Sequence, residues 1–348
     1  MARKNIHEEE LFFSKSDQYL NTYLPSQVSK SPSTVRQYRT GLSAFFDYLA
    51  VKLEIDPSEF RFDQCSYEFF LDYLQFLQSE GKSPATVNVR IVAVRQYLSY
   101  IADVNMTAMP AYIHIKKVSG LTVPKEIRPI IQKKDVSSLL EAPSESWFGR
   151  RDRFIIIFLF DLMLRADELT KIRLGDLTFT EDMVIVSVHG KGRKERELVL
   201  SDKCAAHLEE FLKTYHAEGQ PKDRPLFYTK SHGEYHEMTV RNVERIVSNY
   251  GNVARRENSS IPEKVYPHML RRTKATLLLQ DGMEMARVSE LLGHESVETT
   301  RTHYATYSLE QKREALNKAS GQIPEIESDQ TPVWKKGIND LKKKYGLN

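Results

Sequence analysis

Apolar residues recur every three or four positions along most of the chain, which predicts a succession of amphipathic helices. The first spans Leu11 to Leu24. In Lys30-Ser31-Pro32 a serine N-cap precedes a proline in the first turn, and the helix opened there carries Tyr38, Leu42, Phe45, Phe46 and Leu49 on one face. A third runs from about Ser66 to Glu80, with Phe69, Phe70, Tyr73, Leu74 and Leu77 apolar, and Gly81 ends it. Lys82-Ser83-Pro84 repeats the start signal and opens a fourth helix through Val94, Leu98 and Ile101. From Pro110 to Pro129 the periodicity lapses while Lys116, Lys117, Lys125 and Arg128 gather beside Gly120 and Pro124, which predicts a basic, extended linker. Beyond it, helices are expected at Val136 to Glu141, Phe154 to Asp161, Asp202 to Tyr215 and Met238 to Tyr250. Met183 to His189 alternates like a strand and Glu197 to Leu200 reads as a second, with the turn Gly190-Lys191-Gly192-Arg193-Lys194 between them. The pattern predicts a mainly α fold with a small β-hairpin or sheet in its second half.

Length and composition narrow this picture. A chain of 348 residues is long enough for two domains that each bury a core. The expected division is a helical domain over 1–112, a basic linker over 113–131, a second domain over 132–318 and a tail over 319–348. In the tail, Trp334, Ile338, Leu341 and Tyr345 recur at helical spacing among lysines, which predicts a short amphipathic helix needing an apolar groove, in its own protomer or a neighbour. The 50 Lys and Arg nearly balance the 47 Asp and Glu, so bulk charge does not reveal a nucleic-acid partner and any such surface must be locally basic. The two cysteines, Cys65 and Cys204, form neither a disulfide framework nor a metal-ligand pattern, and a reducing, cytoplasmic setting is expected. Met1 to Glu10 has no apolar core to act as a signal peptide, and the longest apolar run, Phe154 to Phe160, is too short to span a bilayer.

Candidate chemistry concentrates between Pro267 and Tyr304. His268 and Arg271 stand one turn apart and are expected to offer donors from one helix face. The run Ala286 to Leu292 closes at Gly293, which places His294 on the turn beyond, and Ser296 to Tyr304 reads as another short helix with Ser296 as its N-cap. A cationic, donor-rich pocket with one candidate nucleophile is the expectation. Singly, each residue fits an ordinary surface or core position. In order, His-x-x-Arg, Leu-Gly-His and Tyr resemble the catalytic end of the tyrosine recombinases, the phage integrase family. Upstream, Leu164-Arg165-Ala166-Asp167-Glu168-Leu169 is similar to that family's first arginine motif, and Lys191 falls on a hairpin like the one that carries its lysine. The four helices of the first hundred residues resemble its core-binding domain.

The resemblance implies a two-domain, metal-independent DNA strand transferase without cofactors. Arg165 and Arg271 would clamp the scissile phosphate, with Glu168 orienting Arg165. His294 would add a hydrogen bond, Lys191 would protonate the departing 5′-oxygen, His268 would assist the Tyr304 hydroxyl, and Tyr304 would become joined to a 3′-phosphate. The implied partners are double-stranded DNA with a specific site and four copies of the chain in the synaptic complex, with a directionality or host factor left open. Arg36, Arg39, Lys82, Asn88, Arg90, Arg95, Lys116 and Lys117 are the candidate DNA contacts. Three departures stand out. Met163 replaces the usual glycine and favours an ordinary helix there, Arg272 stands where histidine is frequent, and Tyr304 is ten residues beyond His294, which leaves Tyr307 as the alternative nucleophile. Integration or excision of a mobile element is the leading role, beside chromosome-dimer resolution and, further off, a type IB topoisomerase or a DNA-binding protein without catalysis.

Overall fold

The computed structural model describes residues 8–28, 30–124, 129–190, 195–293, 296–298 and 342–345. The chain divides into two compact units, Met1–Ile127 and Arg128–Asn348. In the first unit, α1 (Ser16–Gln18) widens into a looser helical stretch, Tyr19–Gln27. It is followed by α2 (Pro32–Asp47), α3 (Tyr67–Ser79), α4 (Pro84–Val104) and α5 (Met109–Lys117). The serine caps behave as their sequence dictates. Ser31, Ser66 and Ser83 each accept a bond from the backbone N–H three residues on, at 3.3, 3.1 and 3.3 Å, and prolines fill the first turns of α2 and α4. The core is aromatic, with Phe12 in ring contact with Phe45, Phe60, Phe62 and Tyr97. The buried Tyr97 hydroxyl donates to the Phe12 carbonyl at 2.6 Å. Phe46, expected on the apolar face of α2, is exposed instead.

The predicted linker begins too early. Residues 109–117 form α5, with Ala111 and Ile115 fully buried against this unit's core. Pro110, where the lapse in periodicity is placed, lies in the first turn, where its missing N–H costs no hydrogen bond. Lys116 and Lys117 are therefore exposed in the last turn of a helix, where their charge opposes the helix dipole favourably.

The second unit contains α6 (Val136–Glu141), α7 (Trp147–Asp161), α8 (Ala166–Leu169), α9 (Asp202–Tyr215), α10 (Val240–Glu257), α11 (Pro267–Gln280) and α12 (Met285–Leu292). Strands β1 (Leu177–Phe179), β2 (Val184–His189) and β3 (Glu195–Val199) make one antiparallel sheet, in which Val186 faces Leu198 and Val188 faces Arg196. A second hairpin, β4 (Tyr228–Ser231) and β5 (Glu234–Glu237), had no clear signal because every residue of β5 is exposed. Helix α7 starts seven residues before its predicted Phe154, at the Ser146 cap, since Gly149 is the residue that fits there. A Cβ at that position would lie 2.1 Å from the Ser144 carbonyl oxygen. No helix among the described residues is long and apolar enough to cross a membrane.

Met163 corrects another expectation. Rather than continuing a helix, it adopts φ 51°, the left-handed conformation that glycine favours. Leu164 N–H bonds to the Leu159 carbonyl at 3.3 Å and Met163 N–H to that of Phe160 at 3.4 Å, a Schellman ending to α7. The backbone need is thus that of the usual glycine, and the methionine is retained by packing on Ala275, Val288 and Leu292. Met163→Gly should release about 1 kcal/mol of backbone strain but forfeit about 2–5 kcal/mol of buried side chain, a net destabilisation. The first unit has no tryptophan and Trp147 lies in the second, so urea denaturation followed by tryptophan fluorescence reports on the second unit. A midpoint higher than wild type would show that strain dominates.

Candidate active site

The site is built on a buried carboxylate. Arg165 is the N-cap of α8, with extended backbone (φ −75°, ψ 153°), and Glu168 is its third residue, so the pair meets across a helix start rather than along a helix face. Glu168 Oε2 accepts from the Arg165 backbone N–H at 2.8 Å, and Oε1 accepts from Arg165 Nη1 at 2.7 Å. Arg196 on β3 completes the carboxylate with two parallel bonds, Nη1 to Oε1 at 3.0 Å and Nη2 to Oε2 at 2.9 Å. Arg271 Nη1 stands 3.8 Å from Oε2. Burial pushes the Glu168 carboxyl up, but hydrogen bonds and charge from Arg196 and Arg165 overcome this and hold it at about 2. One negative charge therefore sits among three permanent positive ones, and the surplus favours a bound anion.

The arginines differ in access. Arg165 has a side chain 37 % exposed, and its Nε and Nη2 make no hydrogen bond among the described residues. Arg271 is 0 % exposed, with Nη1 donating to the Met163 carbonyl and Nη2 to that of Leu292. Those acceptors are the left-handed residue after α7 and the last residue of α12. His268, in the first turn of α11, is exposed, so the two residues expected to share one helix face differ sharply in burial. Arg272, in place of the frequent histidine, is buried and donates to the Pro129 carbonyl. Thr273 Oγ1 accepts from Ile131 N–H at 3.1 Å. Consecutive residues of α11 thus fasten 129–131 beside Arg271.

The β2–β3 hairpin is held at its turn end by the facing pair His189 and Glu195. His189 Nδ1 meets Glu195 at 3.0 Å and Nε2 meets Asp176 at 3.2 Å. The Asp176 contact chiefly raises its pKa. Lys191 lies outside the described residues, as do His294, Tyr304 and Tyr307. Gly293 ends α12 at φ 62°, as its place in the sequence predicts, and Ser296 Oγ accepts from Glu298 N–H at 3.2 Å. Of the tail stripe only Tyr345 is described, and it is exposed. Sequence reasoning passed over Arg196. Its signal was strand alternation, since Arg196 shares the inward face of β3 with Leu198.

The candidate DNA contacts in the first unit divide by use. Arg36 and Lys82 are exposed. Arg39 Nη2 donates to Asn21 at 2.7 Å. Asn88 is occupied within the protein, its amide donating to the Leu121 carbonyl at 2.9 Å and its oxygen accepting from Leu121 N–H at 2.7 Å. Arg95 Nη2 donates to the Val118 carbonyl at 2.7 Å, and Arg90 is half-buried. Asn88 and Arg95 fasten the segment that leaves α5.

An arginine cluster locked on a carboxylate carries surplus positive charge that can neutralise an anion. The chain belongs to the phage integrase family: residues 129–310 match that family and residues 17–103 match its N-terminal SAM-like domain. It is an enzyme of site-specific tyrosine recombination, which cleaves and rejoins DNA. Among similar proteins, a putative integrase/recombinase, y4rC, of Sinorhizobium fredii is 30 % identical over 85 % of this chain and 88 % of its own. Tyrosine recombinase XerC of Chlamydia caviae is 27 % identical over 84 % of this chain and 94 % of its own. The solved XerH site-specific recombinase bound to palindromic difH substrate shares the fold, with a TM-score of 0.64 at 23 % identity, covering 83 % of this chain and 80 % of that one.

Proposed function

We propose that the enzyme breaks DNA through a covalent 3′-phosphotyrosine, with Arg165 and Arg271 as phosphate clamp and Tyr304 as nucleophile. The observation that supports this most is the Glu168 carboxylate, buried and saturated by arginines, with Arg165 keeping two nitrogens for an anion. In this reading Tyr304 Oη attacks the phosphorus, aided by His268, and the bond to the 5′-oxygen breaks as Lys191 supplies its proton. His294 donates to a non-bridging oxygen as charge builds in the transition state. The phosphotyrosine keeps the bond energy, so a second 5′-hydroxyl reverses the step with neither metal nor nucleotide. Four copies on two double-stranded sites would carry out a complete exchange in the cytoplasm, with integration or excision of a mobile element as the role. Similarity to a XerC recombinase favours chromosome-dimer resolution as the second reading.

Covalent trapping tests both levels. Wild-type protein incubated with genomic DNA fragments in excess EDTA and then denatured should retain DNA by a 3′ end, because guanidinium groups neutralise the phosphate. A requirement for added magnesium would count against the mechanism. Sequencing the retained ends separates the roles: borders of a mobile element support integration, and a single chromosomal locus supports dimer resolution.

A further inference from the structure

We propose that Arg196 is a positioning residue for strand cleavage, acting on Arg165 and Arg271 through the Glu168 carboxylate. This rests on the reading of those two arginines as the phosphate clamp. A carboxylate has about four lone-pair sites, and Glu168 fills them with Arg165 N–H, Arg165 Nη1, Arg196 Nη1 and Arg196 Nη2. Arg196 takes one site on each oxygen. With both taken, Arg165 is tethered by a single side-chain nitrogen and cannot close its fork on Glu168. Its Nε and Nη2 stay available to a phosphate.

Without Arg196, one site on each oxygen falls vacant beside two other guanidinium groups. Arg165 gains a bidentate grip that draws it away from the solvent-facing side, because paired N–H···O bonds to a carboxylate are stronger than one. Arg271, 3.8 Å away, gains an incentive to leave the carbonyls of Met163 and Leu292. Arg196 also packs against Gly293, the residue after the second of those carbonyls. A Cβ on Gly293 would lie 3.0 Å from Arg196 Nη1 and 3.1 Å from its Cδ, so the end of α12 rests directly on this side chain. Both of its Nη groups are bonded to Glu168 and its Nε is buried, so it acts through that carboxylate rather than on the substrate.

The test uses the full chain and a nicked duplex of the site recovered by covalent trapping, with either a phosphate or a neutral methylphosphonate at the scissile position. A methylphosphonate lacks the charge that the clamp neutralises. Arg196→Met should slow single-turnover cleavage of the phosphate duplex by about 100-fold, while affinity for DNA stays within about 3-fold. On the methylphosphonate duplex the loss should shrink to about 10-fold or less. Arg196→Lys, which keeps the charge without the fork, should fall between, and it carries the comparison if the methionine variant is unfolded by tryptophan fluorescence. Cleavage by Arg196→Met within 3-fold of wild type, or an equal loss on both duplexes, would overturn the proposal. A wild type that forms no adduct overturns the clamp reading itself, whereas an active wild type matched by an equally active variant overturns only the role of Arg196.

Discussion

Tyr304→Phe should abolish covalent capture of DNA, lowering the rate by at least about 10⁴-fold, while DNA binding stays within a few-fold. The substitution removes one oxygen, the atom that bonds to phosphorus in the proposed mechanism, and leaves the charged groups that hold the phosphate. Phenylalanine has no hydroxyl with which to form that bond. A nicked substrate that loses its short 3′ fragment makes cleavage irreversible, so adducts accumulate and are read on a denaturing gel. Tyr307 is the control for register. Adduct formation by Tyr304→Phe together with none by Tyr307→Phe would move the nucleophile three residues on.

Glu168→Gln should destabilise the second unit by about 3–5 kcal/mol, since removing one partner of a buried ion cluster leaves charges without compensation. The carboxylate side chain is 1 % exposed, and Arg196 and Arg271 around it are themselves withdrawn from water. The same cluster gives a pH signature. The folded carboxyl is held at about 2, below its ordinary 4.5. Its contribution of about 3 kcal/mol is therefore complete above pH 4.5 and is lost as pH falls from there toward 2. Urea denaturation by tryptophan fluorescence at several acidic pH values, wild type against Glu168→Gln, isolates this share from other carboxylates. The gap between the two should narrow over that interval. A constant gap from pH 6 to pH 3 would mean that Glu168 is not the titrating group.

Agreement between sequence and structure follows how far the cause of each feature lies along the chain. Serine caps and prolines announce α2 and α4 from within a single turn, and alternation announces β2 from within a single strand. The same local reading ends the periodicity at Pro110, because a helix as short as 109–117 shows too little of an apolar stripe until Ala111 and Ile115 are seen to be buried. Met163 shows the converse. Its side chain argues for a helix, while the end of α7 demands a left-handed residue, and packing on Ala275, Val288 and Leu292 outweighs the local preference.

The sequence by itself carried the family resemblance, the order of the motif residues and Arg165, Glu168 and Arg271 as candidates, because these lie within short segments. Only the tertiary structure decided how those segments meet. Arg271 reaches a carbonyl 108 residues away at Met163 and another 21 residues away at Leu292. Arg196 crosses 28 residues to fill the carboxylate of Glu168. Strand alternation can put Arg196 on an inward face but cannot name its partner, since each of these contacts depends on two distant segments folding back to within hydrogen-bond reach. Burial then strengthens them, because a charge withdrawn from water must find its partners within the protein.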